Sequence, residues 1–275
     1  MRERISVSAM VYAADSTRPV GDLVREWRQR RGVSQLRLAL KADVSARHLS
    51  FVETGRARPS RDMVLRLSEQ LGIPLRQRNA LLLAAGYAPA FHERSLDDPA
   101  LAGARKAIDR LLAGHEPYPA LAVDRHWNIA ATNRSVAPLL VDVSPALLEP
   151  PVNALRLALH PGGAAPRIAN LAEWRHHVFE RLQHQIDATA DPVLIDLLRE
   201  LREYPGPPDT EHAVSPGDSR VLVPLKLVSP VGILNLISTT MVFGTPLDVT
   251  LSELALETFF PADEATAELL RQMAR

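Results

Sequence analysis

The sequence of 275 residues contains no cysteine, balances its formal charge to zero, and has no apolar run near the about 20 residues that cross a bilayer. Without cysteine there are no disulfides and no thiolate metal sites, which fits a reducing cytosol. Without a spanning segment, no membrane partner is expected. The balance of 32 basic against 32 acidic residues by itself argues for no polyanionic partner. Enzyme signatures are missing as well. There is no G-x-S-x-G elbow, and Gly162-Gly163 lacks the surroundings of a phosphate cradle, so it reads as a turn. His176, His177 and His184 fall on one expected helix but not one turn apart, the spacing that metal ligands prefer. Catalytic residues, metal ligands and cofactors are therefore left unassigned, and the chain is expected not to be an enzyme. There is no internal repeat and no coiled-coil heptad. Residues 1–18, with a serine-broken apolar stretch, read as a flexible tail and not as a signal peptide.

What is present is concentrated in SQLRLALKADVSARHLSFVETG, from Ser34 to Gly55. Leu38, Ala39, Val44, Leu49 and Val52 fall where two short helices crossing at a steep angle must touch. Ser45 is placed to cap the second of them, since its hydroxyl can accept from a first-turn N–H. Ala46, Arg47, Ser50 and Phe51 then face away from Leu49 and Val52, as a recognition helix faces the major groove. Upstream, Leu23, Val24 and Trp27 predict a helix ending near Gly32. Downstream, Ser60 caps a helix through Met63, Val64, Leu67 and Leu71, and Leu75 to Ala85 supplies a fifth. The spacing predicts an all-α five-helix head over residues 19–90.

Charge separates this head from the rest. From Pro19 to Ala90 there are 13 Lys/Arg against 6 Asp/Glu, whereas from Phe91 onward there are 16 against 24. A basic head on an acidic body is expected when only the head meets phosphates.

These residues resemble the Cro/C1-type, or XRE-family, helix-turn-helix, with Gln35 opening the second helix and Glu53-Thr54-Gly55 closing the third. The resemblance implies sequence-specific binding to a double-stranded DNA operator and a buried structural pair between Arg28 and Glu53. Asp43 stands at the turn where the family has glycine, at a small cost in the left-handed region. The expected DNA-binding residues are Gln35, Ser45, Ala46, Arg47, His48, Ser50, Phe51, Arg56, Arg58 and Arg61. Arg47 is expected to read a base, Phe51 and Ala46 to touch thymine methyls, and Gln35, Arg56, Arg58 and Arg61 to hold the backbone.

After a linker over residues 91–100, residues 101–275 predict an α+β domain. Leu101 to Leu112 is helical. Ala120 to Asn133 is a hairpin around Arg125-His126, and Asn133 to Leu140 and Asn153 to Leu159 are short helices. Two longer helices follow, through Leu171 to Ile186 and Leu194 to Tyr204. After the turn at Pro205 to Pro208 the period becomes two, with strands through Val221 to Leu227, Ile233 to Phe243 and Val249 to Phe260. A final helix starts near Asp263. The result is an antiparallel sheet with a helical insertion.

YPALAVDRHWNIAATN, NALRLALHPGG, NLAEWRHHVFERL and FGTPLDVTLSELALETFFPAD, in this order, resemble the MmyB-type ligand-binding domain, a PAS-like module that follows an XRE-type head. The resemblance implies a small-molecule effector, a bound fatty acid or similar apolar compound, in a transcriptional regulator whose DNA binding that effector alters. From residue types, Trp127, Trp174, Phe179, Leu225, Leu234, Phe243 and Phe259 are expected to line an apolar pocket. Asn133, Arg156 or Arg175 would hold a carboxylate. A cytoplasmic homodimer is expected, because one head covers only half of a two-fold operator.

Overall fold

The computed structural model describes residues 18–207 and 222–274. Residues 1–17 of the tail expected over residues 1–18, Val221, and Pro208 of the expected turn lie outside these residues. Two compact units divide between Glu93 and Arg94, with Leu247–Val249 grouping with the first.

The first unit consists of five helices, α1 (Val20–Arg30), α2 (Gln35–Lys41), α3 (Ala46–Glu53), α4 (Arg61–Gln70) and α5 (Leu75–Ala84). The starts of α2, α3 and α4 are set by serines. Ser34, Ser45 and Ser60 accept from the backbone N–H of Arg37, His48 and Met63 at 3.2, 3.1 and 3.2 Å. The end of α1 turns through Gly32 at φ +62°, and the α2–α3 turn passes through Asp43 at φ +52°. Aspartate thus takes the left-handed position expected of it. Leu38, Leu49, Leu67, Leu81 and Leu82 are fully buried at the centre. Gly21 lets α1 lie directly on α3: a Cβ there would stand 2.1 Å from the Val52 carbonyl oxygen.

The second unit is built on five strands, β1 (Ala120–Val123), β2 (Ile129–Thr132), β3 (Leu225–Ser229), β4 (Gly232–Val242) and β5 (Ala255–Pro261). Their order is β2-β1-β5-β4-β3, with every neighbouring pair antiparallel. On one face lie α7 (Ala154–Leu159), α8 (Leu171–Thr189) and α9 (Pro192–Glu203), where Leu182, Leu194 and Leu201 bury against Leu121, Leu227, Leu234 and Leu236. On the other face α6 (Ala102–Gly114) places Ile108 and Leu112 against Ala120, Ala122 and Leu256. Between α8 and α9 the chain reverses through Ala190 at φ +56°, and Asp191 caps α9 by accepting from the Val193 N–H. The last helix, α11 (Glu264–Met273), starts at Asp263, which accepts from the Thr266 N–H.

Two of the expected strands differ from the reading of the sequence. The run from Val249 to Phe260 is not one strand. Its first residues form a single turn, α10 (Val249–Ser252), closed by the Glu253 N–H on the Thr250 carbonyl, and the strand begins only at Ala255. The strand expected from Val221 starts at Leu225, because Pro224 has no N–H to donate. There the Asn170 side chain substitutes for a neighbouring strand, donating to the Pro224 carbonyl at 2.8 Å and accepting from the Lys226 N–H at 3.0 Å. The short helix expected over Asn133 to Leu140 is present as a 3₁₀ segment, Arg134–Leu140, with Pro138 inside it.

Candidate functional site

In the head, one carboxylate fixes how α3 is held. The Glu53 side chain is fully buried and receives Arg28 Nε at 2.7 Å, Arg28 Nη2 at 2.8 Å and Gln35 Nε2 at 2.7 Å. Burial alone would raise its pKa. The bonds from Arg28 and Gln35 and the charges of Arg28 and Arg25 outweigh that and hold it below the usual carboxylate value. With Leu49 and Val52 buried beneath, α3 turns its other side outward. Arg47 and His48 are exposed there, and Ala46, Ser50 and Phe51 are half-buried. The Arg47 guanidinium lies 5.4 Å from the centre of the Phe51 ring, so these residues one turn apart form a unit on the surface.

The remaining expected DNA contacts divide. Arg56 and Arg61 are exposed, beside the end of α3 and at the start of α4. The hydroxyl of Ser45 is committed to its own helix, and the amide nitrogen of Gln35 to Glu53. Arg58, exposed as well, is in addition held within the head. Its Nε and Nη2 both donate to the Ala85 carbonyl, at 3.0 and 2.7 Å, and its guanidinium lies over the Tyr87 ring at 5.3 Å. Arg58 joins the loop before α4 to the end of α5.

The second unit holds a cavity of about 100 Å³ between α7, α8 and the sheet. Trp127, Trp174 and Phe259, three of the expected aromatics, meet in its wall with Leu121, Ala154, Leu155, Ala158 and Val178. Trp127 is placed by the β1–β2 turn, where it takes φ +67°. Asp124 stabilises this turn by accepting from the N–H groups of His126 and Asn128, each at 2.8 Å. The Trp127 indole N–H donates to Gln185 at 2.9 Å, which ties the turn to α8.

The polar part of the wall was not anticipated. His177, Arg181, Ser238 and Glu257 complete it. Arg181 and Glu257 form a two-point ion pair at 2.8 and 2.5 Å, Arg181 also donates to the Thr240 hydroxyl, and its guanidinium stands 4.6 Å from the Trp127 ring centre. Burial, then the charge of Arg181, pushes the His177 pKa below its ordinary value, leaving the imidazole neutral at neutral pH. The Trp174 indole N–H is buried and has no hydrogen-bond partner among the described residues. A signal for the ion pair exists in the sequence. Arg181 continues the Trp174–Val178 stripe of α8, and Glu257 shares the inward parity of Ala255 and Phe259 on β5, so each puts a charge where the pattern is apolar.

The other expected ligand residues lie elsewhere. Asn133 is a structural amide: it accepts from the Ala120 N–H and donates to the carbonyls of Leu112 and Tyr118 at 3.2 and 2.7 Å. Arg156 pairs with Glu200 at 2.8 and 2.7 Å, joining α7 to α9. Arg175 donates to the Tyr204 carbonyl and stacks over Phe179, which is packed in the main core away from the cavity wall. Leu225 and Leu234 also belong to that core, outside the wall. Phe243 packs on the opposite face of the sheet with Ile108, Leu112 and Leu256.

Among the described residues no helix is long and apolar enough to cross a membrane. Residues 24–77 match the helix-turn-helix family, and residues 104–273 match the MmyB-like transcription regulator ligand binding domain. No curated protein matches the chain. A solved structure described as an RNA-binding Light-Oxygen-Voltage receptor is similar at 12% identity, over 100% of this chain and 69% of that one. Its TM-score of 0.24 is too low to carry an argument. Both matching families are regulatory domains and not enzymes. With a helix-turn-helix head and that domain covering most of its length, the chain belongs to the MmyB-like transcription regulator family.

Proposed function

We propose that the protein is a cytoplasmic, homodimeric regulator whose head, residues 19–90, reads an operator through α3. Its C-terminal domain, residues 101–275 beyond a linker at 91–100, binds a small apolar effector of the acyl class. The observation that carries the first part is the outward face of α3, with Arg47 and His48 exposed on a helix whose inner face and end are anchored by Leu49, Val52 and Glu53. Arg47 reads a base, Phe51 and Ala46 press on thymine methyls, and Arg56 and Arg61 hold phosphates. The apolar wall of Trp127, Trp174 and Phe259 supports the second part. An effector changes DNA affinity only by binding the DNA-competent and incompetent states unequally.

The test is selection of bound duplexes from a random pool, followed by titration of the recovered site against salt. An enriched two-fold site whose affinity falls steeply with salt is expected. Arg47→Ala should lower discrimination at one base position by about 1–3 kcal/mol. No enrichment, or affinity indifferent to salt, overturns the reading and leaves the head as a protein-binding module.

A further inference from the structure

We infer that two copies of the chain pair through the open half of the sheet face that carries α6, burying Val228, Ile233, Ile237, Met241, Phe260 and Leu111 across a two-fold axis. This rests on the reading of the protein as a homodimer and gives that dimer its interface.

α6 covers its face of the sheet at β1 and at the start of β5, where Ile108 and Leu112 meet Ala120, Ala122 and Leu256. The register carries the same face onward. Met241 stands opposite Leu256, Ile237 opposite Phe260, and Val228 opposite Ile233. Residues two apart on a strand share a face, so Ile233, Ile237 and Met241 form one row along β4. Ile233 is 53% exposed, Phe260 43% and Met241 40%. α6 extends this surface. Leu111, exposed, lies one turn before His115, whose ring packs edge-on against Phe260 at 4.7 Å. A contiguous apolar patch of this kind marks an interaction surface.

Its chemistry selects the partner. A patch that meets its own copy across a two-fold axis brings like charge near like, so it has to be almost free of charge. On β3, β4 and β5 this face holds a single charged side chain, Lys226 on the outer strand. A foreign partner steered by charge finds nothing here to recognise, whereas a second copy meets no repulsion. Two polar side chains interrupt the row, and both are engaged within the unit. Asn235 donates to Asp263 at 2.8 Å, and the Thr239 and Thr258 hydroxyls share a hydrogen bond at 2.6 Å, so a facing surface deprives neither of its partner. From Ile233 to Met241 the row runs about 27 Å at about 3.4 Å per residue, roughly the width of the about 800 Å² that each partner of a standard interface buries. The last helix of the head offers no rival surface. Asn79 and Arg76 of α5 are buried under the residues that follow it, Asn79 bonded to the backbone of Ala90 and Phe91 and Arg76 paired with Glu93 at 2.7 Å.

Sedimentation of the full chain over a concentration series measures the pairing, with hydroxyl-radical footprinting at both ends of the series. The unaltered protein should pair. Labelling of Ile233, Met241 and Phe260 should fall severalfold on pairing, while that of Ile195, similarly exposed in the groove between α8 and α9, stays constant. Ile233→Asp, which puts a carboxylate into the row, should weaken pairing about tenfold or more, and Ile195→Asp should leave it unchanged. A dimer in which labelling of the row does not change, or which Ile195→Asp and not Ile233→Asp disrupts, overturns the inference and leaves the homodimer reading standing. A chain that stays monomeric across the series overturns both. Footprinting is done on the unaltered protein and decides the matter where a variant fails to fold.

Discussion

Arg28 grips both carboxylate oxygens of Glu53, at 2.7 and 2.8 Å, across 25 positions of sequence, and so fastens α1 to the last residue of α3. The carboxylate has no exposed surface. Removing one member of a buried pair leaves the other charge uncompensated, at a cost of about 3–5 kcal/mol. Arg28→Ala should therefore speed amide exchange throughout α1 and α3 in the full chain, with the second unit unaffected, as hydrogen-exchange mass spectrometry reads by peptide.

The same pair sets an acid limit. Glu53 has its pKa lowered from the ordinary 4.5, so its contribution to stability is complete above that value and is lost as pH falls through the lower folded-state value. Head protection measured down through pH 4 should fall in the native protein. In Glu53→Gln, less stable throughout, that part of the fall should be absent; a parallel decline in both would assign the acid sensitivity to other groups.

Arg58 and its neighbours Arg56 and Arg61, all three exposed, should separate cleanly in a salt titration. Arg58→Ala removes the clamp on Ala85 and Tyr87 and should lower the thermal midpoint of the head without changing the salt slope of DNA binding. Arg56→Ala and Arg61→Ala should leave stability alone and flatten the slope of log K against log salt by about 0.9 each.

Gly21→Ala tests how closely α1 lies on α3. The added Cβ meets the Val52 carbonyl oxygen at 2.1 Å, and a backbone atom cannot rotate aside. A loss of about 1–3 kcal/mol is expected from overpacking, seen as a lower urea midpoint of the head together with weaker operator binding.

Ala190→Gly should do the opposite in the second unit. A left-handed alanine costs roughly 1–2 kcal/mol, and the added chain freedom of glycine returns roughly 0.5–1 of that. At φ +56° a net gain of about 0.5–1 kcal/mol is expected, read as a higher thermal midpoint.

The head was legible almost residue by residue because its determinants are local. Ser45 caps the helix it precedes, Gly32 and Asp43 turn left-handed where the helical pattern stops, and Leu49 and Val52 face inward on one stripe. The paired-strand framework of the second unit was legible from alternation for the same reason. Its cavity was not, since a wall is assembled from residues far apart in sequence, and residue type does not fix which face a side chain takes. Leu234 and Phe243 are nine positions apart along one extended segment and fall on opposite faces, so one pocket cannot be lined by both. Asn133 and Arg156 looked available as polar anchors, but the carbonyls of Leu112 and Tyr118 and the carboxylate of Glu200 take them, and those partners become neighbours only through the fold.

Asn170, whose amide faces Pro224 and Lys226, has a consequence for how chains behave at high concentration. A terminal strand with open hydrogen-bonding groups is a template on which a second molecule can extend the sheet and begin a polymer. At the outer strand of this sheet the first docking positions are occupied from within by one side-chain amide, with the Ala169 N–H on the Lys226 carbonyl beside it. That plug closes those positions to a second molecule while leaving the strand itself in place.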